Sequence, residues 1–276
     1  MVSDTASTPS QAPVVEFRQV TKRFGELTVI RDVTFTVEDR PGHGEFVGIL
    51  GPSGCGKSTV LRLIAGLRPH HPATSGTVSV AGNPVTNPGA DRSMVFQDYT
   101  SFDNRTVEDN VAFGLECRGV PTSERREQAH AWIAKVGLHV KRDARKYPSE
   151  LSGGMRQRVA IARTLILSPR IILMDEPFGA LDPATRLNMQ ALLIDLWREA
   201  QATVFFVTHS IEEAVYLGDR VYIFSSSPGR ILREVKLPHP DRPPKEMQRE
   251  RAFVDTVFDI RDTIEKLESS TRAGDD

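Results

Sequence analysis

Apolar and polar residues alternate from Val14 to Val20 and again from Val33 to Val37, the period-two pattern of half-buried strands. Glu45 to Leu50 is a short apolar run ending in a glycine-rich turn, which predicts a buried strand. A helix is expected over Thr59 to Ala65, stopped by Gly66. Thr77 to Ala81 and Ser93 to Phe96 read as further strands. From Thr106 to about Ser168 the period becomes helical. Ala129, Trp132, Ile133 and Val136 fall on one helix face, with Thr122 or Ser123 as the expected cap and Gly137 as the stop. Alternation of strand and helix then returns: a strand over Arg170 to Asp175, a helix opened by Asp182-Pro183 and running to about Ala200, and a strand over Thr203 to Thr208. Ser210 with Glu213 reads as a capping box ahead of Ala214 to Leu217. Val221 to Phe224 and Arg230 to Leu237 read as closing strands around the Ser225–Gly229 turn.

The ends differ from the body. Met1 to Pro13 is rich in Ser, Thr and Pro, lacks the apolar run of a signal peptide, and is expected to be a disordered leader. Pro238 to Pro244 reads as a linker. Phe253, Val257, Ile260, Ile264 and Leu267 then predict a terminal amphipathic helix. The expected organisation is an α/β unit over residues 14–237, a helical lobe inserted at about 106–168, and a linker with one helix over 238–276. No internal repeat interrupts this order.

Composition narrows the function. With 276 residues and about 150 per domain, one large core plus an inserted lobe fits. Lys plus Arg is 35 against 36 Asp plus Glu, so the basic excess of a nucleic-acid binder is missing and no such partner is expected. No stretch reaches the roughly 18 apolar residues of a spanning helix, so any work at a membrane requires docking onto other membrane segments. Cys55 and Cys117 make no disulfide framework, which suits a reducing cytosol.

The chemistry is carried by five short stretches. Gly51-Pro52-Ser53-Gly54-Cys55-Gly56-Lys57-Ser58-Thr59 fits G-x-x-x-x-G-K-[ST] between a predicted strand and helix. Glycines let backbone N–H groups wrap a polyphosphate, Lys57 reaches the β- and γ-phosphates, and Ser58 ligates Mg²⁺. Cys55 reads as a tolerated small residue, whose alkylation is expected to block nucleotide entry. Asp175 and Glu176 close the apolar strand Ile171 to Met174; neighbours on a strand face opposite ways, so Asp175 is assigned to the Mg²⁺ shell and Glu176 to the attacking water. His209 and Gln97 follow strands at positions where ligands of open α/β sheets gather; His209 suits a γ-phosphate contact, and Gln97 Mg²⁺ or the water. Leu151-Ser152-Gly153-Gly154-Met155-Arg156-Gln157 opens a helix with a capping serine and exposed glycine N–H groups, a second anion site. Two phosphate-binding surfaces on separate lobes make sense if two copies stack head to tail, each lobe closing over the other's nucleotide.

In this order, from about Phe17 to His209, these stretches resemble the ATP-binding cassette (ABC) ATPases: Walker A at Gly51 to Ser58, Q-loop at Gln97, signature at Leu151 to Gln157, Walker B at Ile171 to Glu176 and switch histidine at His209. Ala180-Leu181-Asp182 matches the D-loop, and Phe24 sits where the family places an aromatic that stacks on adenine, with a core aromatic as the alternative reading. The resemblance implies a P-loop NTPase fold with a mainly parallel core sheet, an N-terminal antiparallel β subdomain and an inserted helical subdomain. It implies ATP and Mg²⁺, ATP hydrolysis coupled to transport, and contacts from Ser152, Gly153, Gly154, Gln157 and Asp182 to the ATP of a second copy. It further implies transmembrane permease subunits, an indirect extracytoplasmic solute-binding partner, and a peripheral place on the cytoplasmic face of the plasma membrane.

Gly89-Ala90-Asp91-Arg92, Asn110 to Leu115 and Ser227-Pro228-Gly229-Arg230 resemble the importer cassettes for nitrate, sulfonate and taurine. Where that family tends to carry a Pro-Trp pair, this chain has Ser101-Phe102-Asp103-Asn104-Arg105, in a stretch that the resemblance turns toward the membrane partner. The stretch after Phe224 is expected to be too short for the C-terminal regulatory β-domain that the resemblance associates with sugar and polyamine importers. An exporter cassette, an importer for another solute, a soluble non-transport ABC ATPase and a scaffold without turnover are the alternatives.

Overall fold

A computed structural model describes residues 12–39, 42, 44–98 and 101–272, so nearly all of the leader expected over 1–13 lies outside the described residues. The strands are β1 (Val15–Phe24), β2 (Leu27–Val37), β3 (Phe46–Leu50), β4 (Ser75–Val80), β5 (Asn83–Pro84), β6 (Arg92–Val95), β7 (Ile171–Asp175), β8 (Thr203–Thr208), β9 (Arg220–Phe224) and β10 (Ile231–Lys236). The helices are α1 (Lys57–Ala65), α2 (Val107–Cys117), α3 (Thr122–Lys135), α4 (Val140–Asp143), α5 (Gly153–Leu165), α6 (Pro183–Ala200), α7 (Ile211–Leu217), α8 (Pro244–Met247) and α9 (Arg251–Arg272).

Two sheets organise the chain. One is antiparallel in the order β2-β1-β4-β5; the other runs β10-β9-β3-β8-β7-β6 and is parallel except at the β9–β10 edge. Strands buried on both faces need apolar residues at every position, and β3, β7 and β8 are buried throughout. Alternate residues then serve two cores. Ile171, Leu173, Phe205 and Val207 pack with α1 and the antiparallel sheet. Ile172, Met174, Val204 and Phe206 pack with α5, α6, α7 and α9. Phe35 joins the two sheets, stacked 4.5 Å from Phe17 and 5.0 Å from Tyr222. The mainly parallel core, antiparallel N-terminal sheet and helical insertion agree with the expected fold class.

Several local expectations need correction. The first two strands run much further than the alternation indicated, because register shifts after Phe17 and left-handed residues at Gln19 and Asp32 break the period that marks a strand in sequence. Helix α3 takes Pro121 as its N-cap with no side-chain bond, so neither Thr122 nor Ser123 caps it; Gly137, at φ +73°, does end it. The capping box at α7 is half formed. Ser210 accepts from the Glu213 N–H at 3.2 Å, but the Glu213 carboxylate turns to the Thr208 hydroxyl instead.

The helical stretch is pinned by Asp143, which is fully buried and accepts from Arg142, Lys146 at 2.7 Å and the His139 N–H at 3.0 Å. These donors hold its carboxyl far below the usual carboxylate range, the Arg142 guanidinium contributing most. The proline-rich connector is packed rather than loose: Arg198 donates to the Pro240 carbonyl at 2.9 Å and the His239 ring lies 5.0 Å from Trp197. Helix α9 buries Phe253, Val257 and Ile260 against the body beside α7, with Ile264 half-buried; the Leu267 side chain lies outside the described residues. Among the described residues, no helix is long and apolar enough to cross a membrane.

Candidate active site

In a parallel sheet all carboxyl ends lie on one edge, where ligands collect. Here β3 delivers the glycine loop, β8 His209, β7 the two acids and β6 Gln97 to that edge, from neighbouring strands. Gly56, the N-cap of α1, has φ +93°, and a Cβ there would lie 2.5 Å from Ile30, so only glycine closes this turn. No cap side chain occupies the start of α1, which leaves the positive end of the helix facing the loop. Buried Lys57 lies under the loop and donates to the carbonyls of Gly51 and Pro52 at 2.8 Å each. Ser53 and Gly54 are exposed at its rim, and Thr59 is buried behind it.

Cys55 belongs to the loop only through its backbone. Its side chain is fully buried, and burial pushes the thiol pKa up. A buried, protonated thiol is a poor nucleophile, so Cys55 is expected to resist alkylation in the folded chain.

The acids diverge, although not by strand alternation. β7 ends at Asp175, and Glu176 turns into the left-handed region at φ +47°, its N–H donating to the Val207 carbonyl at 3.1 Å. For a side chain with a Cβ this is a strained conformation of the kind found at functional sites. Asp175 accepts from the Ser58 hydroxyl at 2.7 Å. Glu176 Oε2 lies 3.3 Å from the Gln97 amide nitrogen and 3.5 Å from His209 Nδ1. Glu176 is partly exposed, and Gln97 and His209 are open to solvent. The three side chains assigned to the attacking water and the γ-phosphate thus meet around one carboxylate oxygen.

Phe24 is half-buried at the end of β1, so it is not a core aromatic. The Lys22 ammonium sits 4.9 Å from its ring centroid, and His70 meets it edge-on at 5.2 Å, a braced flat face suited to stacking.

Ser152 and Asp182 sit at the starts of two further helices. Ser152 caps α5, accepting from the Met155 N–H at 3.3 Å, and is exposed with Gly153 and Gly154 beside it. Asp182 caps α6 and accepts from the Thr185 N–H at 3.1 Å. A Cβ on Gly154 would lie 3.0 Å from Thr185, so signature and D-loop adjoin each other. Gln157 is a correction: it is fully buried with its amide on the Pro177 carbonyl, inside the fold rather than on a face open to a second copy.

No sequence motif singles out Arg62 or Arg186, and Glu213 reads in the sequence only as a capping residue. Arg62 approaches Asp175 at 3.5 Å, and its four-residue spacing from Ser58 was the available signal. Glu213 hides within the capping pattern, and Arg186 follows Asp182 by one helical turn.

The donors suit Mg²⁺. Ser58, Asp175 and Gln97 offer hard oxygens, and no group of three or more His, Cys, Asp or Glu forms a metal cage among the described residues. Mg²⁺ is held in this way in phosphate sites, by few side chains together with water and the substrate's phosphates.

Comparison with known proteins points the same way. The ABC transporter family model matches residues 30–179, more than half of the chain. The nitrate import ATP-binding protein NrtD of Synechocystis sp. is 47% identical over 249 residues, covering 88% of this chain and 89% of that protein. The taurine import ATP-binding protein TauB of Escherichia coli is 45% identical over 214 residues, covering 78% and 80%. The dimeric post-hydrolysis state of the ATP-binding cassette MJ0796 bound to ADP and Pi matches with a TM-score of 0.69 at 34% identity, over 81% of this chain and 99% of that one. By sequence and by fold alike, this chain belongs to the ABC transporter family and is an ATP-binding cassette ATPase.

Proposed function

We propose that two copies of this chain enclose Mg-ATP head to tail and drive import of a small anion of the nitrate, sulfonate or taurine kind. The solute passes through separate permease subunits, fed by an extracytoplasmic solute-binding protein, with the cassettes on the cytoplasmic face of the plasma membrane. One observation carries the pairing. Lys57, Ser58, Asp175, Glu176, Gln97 and His209 converge on one edge, whereas Ser152 and Asp182 cap the starts of two other helices, α5 and α6, beside each other. Among the described residues no hydrogen bond joins those helix starts to the phosphate loop. Each chain then holds two half-sites that a second copy completes.

In this reading the loop N–H groups and Lys57 take the ATP phosphates, while Phe24 stacks on adenine. Ser58, Gln97 and, through water, Asp175 would hold Mg²⁺, which would neutralise charge on the transferring phosphoryl group. Glu176 accepts the proton of the attacking water, with Gln97 orienting that water and His209 holding the γ-phosphate. Ser152, Gly153, Gly154 and Asp182 of the second copy close over the same nucleotide. ATP bridges both half-sites better than ADP, and this difference in affinity opens and closes the pair.

The membrane partner fits a groove of about 400 Å³ lined by Met94, Phe96, Phe102, Phe113, Arg163 and Leu167. Phe102 and Phe113 meet at 4.5 Å, flanked by the guanidinium groups of Arg105 and Arg163. The solute class is supported by the nitrate and taurine import proteins among the relatives.

The test mixes two damaged chains. Lys57→Ala and Ser152→Ala copies are each expected to be inactive alone. Mixed, half of the pairs carry one intact centre, and ATP hydrolysis returns. No recovery on mixing, or full turnover by chains kept monomeric, overturns the pairing.

A further inference from the structure

Glu213 spends a buried carboxylate where helix capping needs only a surface one. It is 7% exposed, and Oε2 accepts from the Thr208 hydroxyl at 2.7 Å. That hydroxyl accepts in turn from the Ser210 N–H at 3.0 Å, so it clamps the backbone on both sides of His209. The other carboxylate oxygen faces Arg186 Nε at 3.6 Å, and this nitrogen is buried without a hydrogen-bond partner. Arg186 Nη2 donates to the Leu181 carbonyl at 3.1 Å, within Ala180-Leu181-Asp182. A continuous polar line thus runs from the D-loop carbonyl through Arg186, Glu213 and Thr208 to the residue beside the histidine, which itself reaches Glu176.

A carboxylate is costly to bury unless it is paired, and removing one partner leaves the other exposed to that cost. The alternative local arrangement, a full capping box, would put Glu213 on the Ser210 N–H, which here goes to the Thr208 hydroxyl instead. Choosing the buried one ties two loops together that otherwise belong to different elements.

We propose that Arg186 and Glu213 are positioning residues that couple the D-loop to His209, so that arrival of a second copy at Asp182 sets the imidazole over the nucleotide. This rests on the head-to-tail reading above. Neither residue touches the reacting atoms; they act through the Leu181 carbonyl and the Thr208 hydroxyl.

The test compares full-length wild type with Glu213→Gln, Arg186→Met and the double variant. Phosphate release is measured against ATP concentration, and ATP-driven pairing is followed by light scattering in a Glu176→Gln background. Glu213→Gln keeps an acceptor for Thr208 but loses the charge that Arg186 meets. Each single variant is expected to lower kcat by about tenfold to a hundredfold, as small misplacements of catalytic groups do. KM for ATP stays within about twofold, the Hill coefficient falls toward unity, and the double variant is no worse than the poorer single one. Should Arg186→Met not fold, Arg186→Lys keeps the cation and loses the Nη2 hydrogen bond to the Leu181 carbonyl, with the same kcat loss expected in a folded chain. Wild-type kcat and cooperativity in folded variants, KM rising in step with lost kcat, or additive losses each overturn the coupling. Failure of wild type to pair or to show cooperativity overturns the head-to-tail reading itself, before any variant is compared.

Discussion

The Ser58 hydroxyl lies 2.7 Å from the Asp175 carboxylate, across 117 positions of sequence. Arg62, one turn along the same helix, approaches the other carboxylate oxygen at 3.5 Å. Helix α1 therefore points its N-terminus at the phosphate loop and uses one side to hold the acid on the next strand but one. Burial pushes the Asp175 pKa up, and the Ser58 hydroxyl and Arg62 oppose that shift. Removing Arg62 leaves the buried acid less well held. Arg62→Ala is expected to raise the Mg²⁺ concentration for half-maximal hydrolysis by about threefold to tenfold, the worth of one charge-assisted bond. A Mg²⁺ titration at saturating ATP checks this, and an unchanged midpoint removes Arg62 from the metal side.

Glu176→Gln keeps the shape of the side chain and removes its basicity. Steady phosphate release should fall by about a hundredfold or more, the usual worth of a general base. ATP affinity, measured by equilibrium titration, should remain near wild type because the phosphate cradle is untouched. Turnover close to wild type would show that another group takes the proton.

Cys55 is fully buried with a raised thiol pKa, while Cys117 is exposed. Iodoacetamide should therefore add once to the native chain and twice after unfolding in urea. Mass spectrometry of the intact protein reads the count directly. Rapid double addition to the native chain would contradict the burial.

Asp143 supplies a pH dependence whose sign is set by its depressed pKa. A carboxyl held below its unfolded value, ordinarily near 3.8, stabilises the fold above that value. That contribution is lost as pH falls through the folded pKa. Asp143→Asn should melt lower than wild type by a constant margin above about pH 5, and the margin should shrink below about pH 4. A margin that grows on acidification would reverse the assignment.

Ile260 is fully buried on α9 beside α7, the helix that follows His209. Ile260→Ala is expected to cost about 2–4 kcal/mol at that seam. Hydrogen exchange should then show α9 losing protection while β3 and β7 keep theirs. Uniform loss across the sheet would mean that α9 is not separable from the core in this way.

Much of the site was legible in the chain because its signals are local. A glycine loop between strand and helix, two acids at a strand end and a capping serine before paired glycines each follow from short-range geometry. So does the sheet: Ile171 to Asp175 and Thr203 to Thr208 read as buried strands because burial on both faces requires continuous apolar runs. The long hairpin of β1 and β2 was half hidden, since bulges at Gln19 and Asp32 erase the alternation without ending the pairing. Pro121 displaced Thr122 as the cap of α3, a matter of one residue that propensity does not resolve.

By itself, the order of residues determined which elements form, which motifs sit at their ends, and the family to which they belong. Tertiary structure alone decided which charges meet: Arg62 with Asp175, Arg186 with Glu213, and Gln97 and His209 around Glu176. It also turned Gln157 and Cys55 inward and left the Phe24 ring half-open. The reason is physical. Periodicity and capping depend on neighbours within a few residues, whereas desolvation and ion pairing depend on which distant segments exclude water from the same small volume.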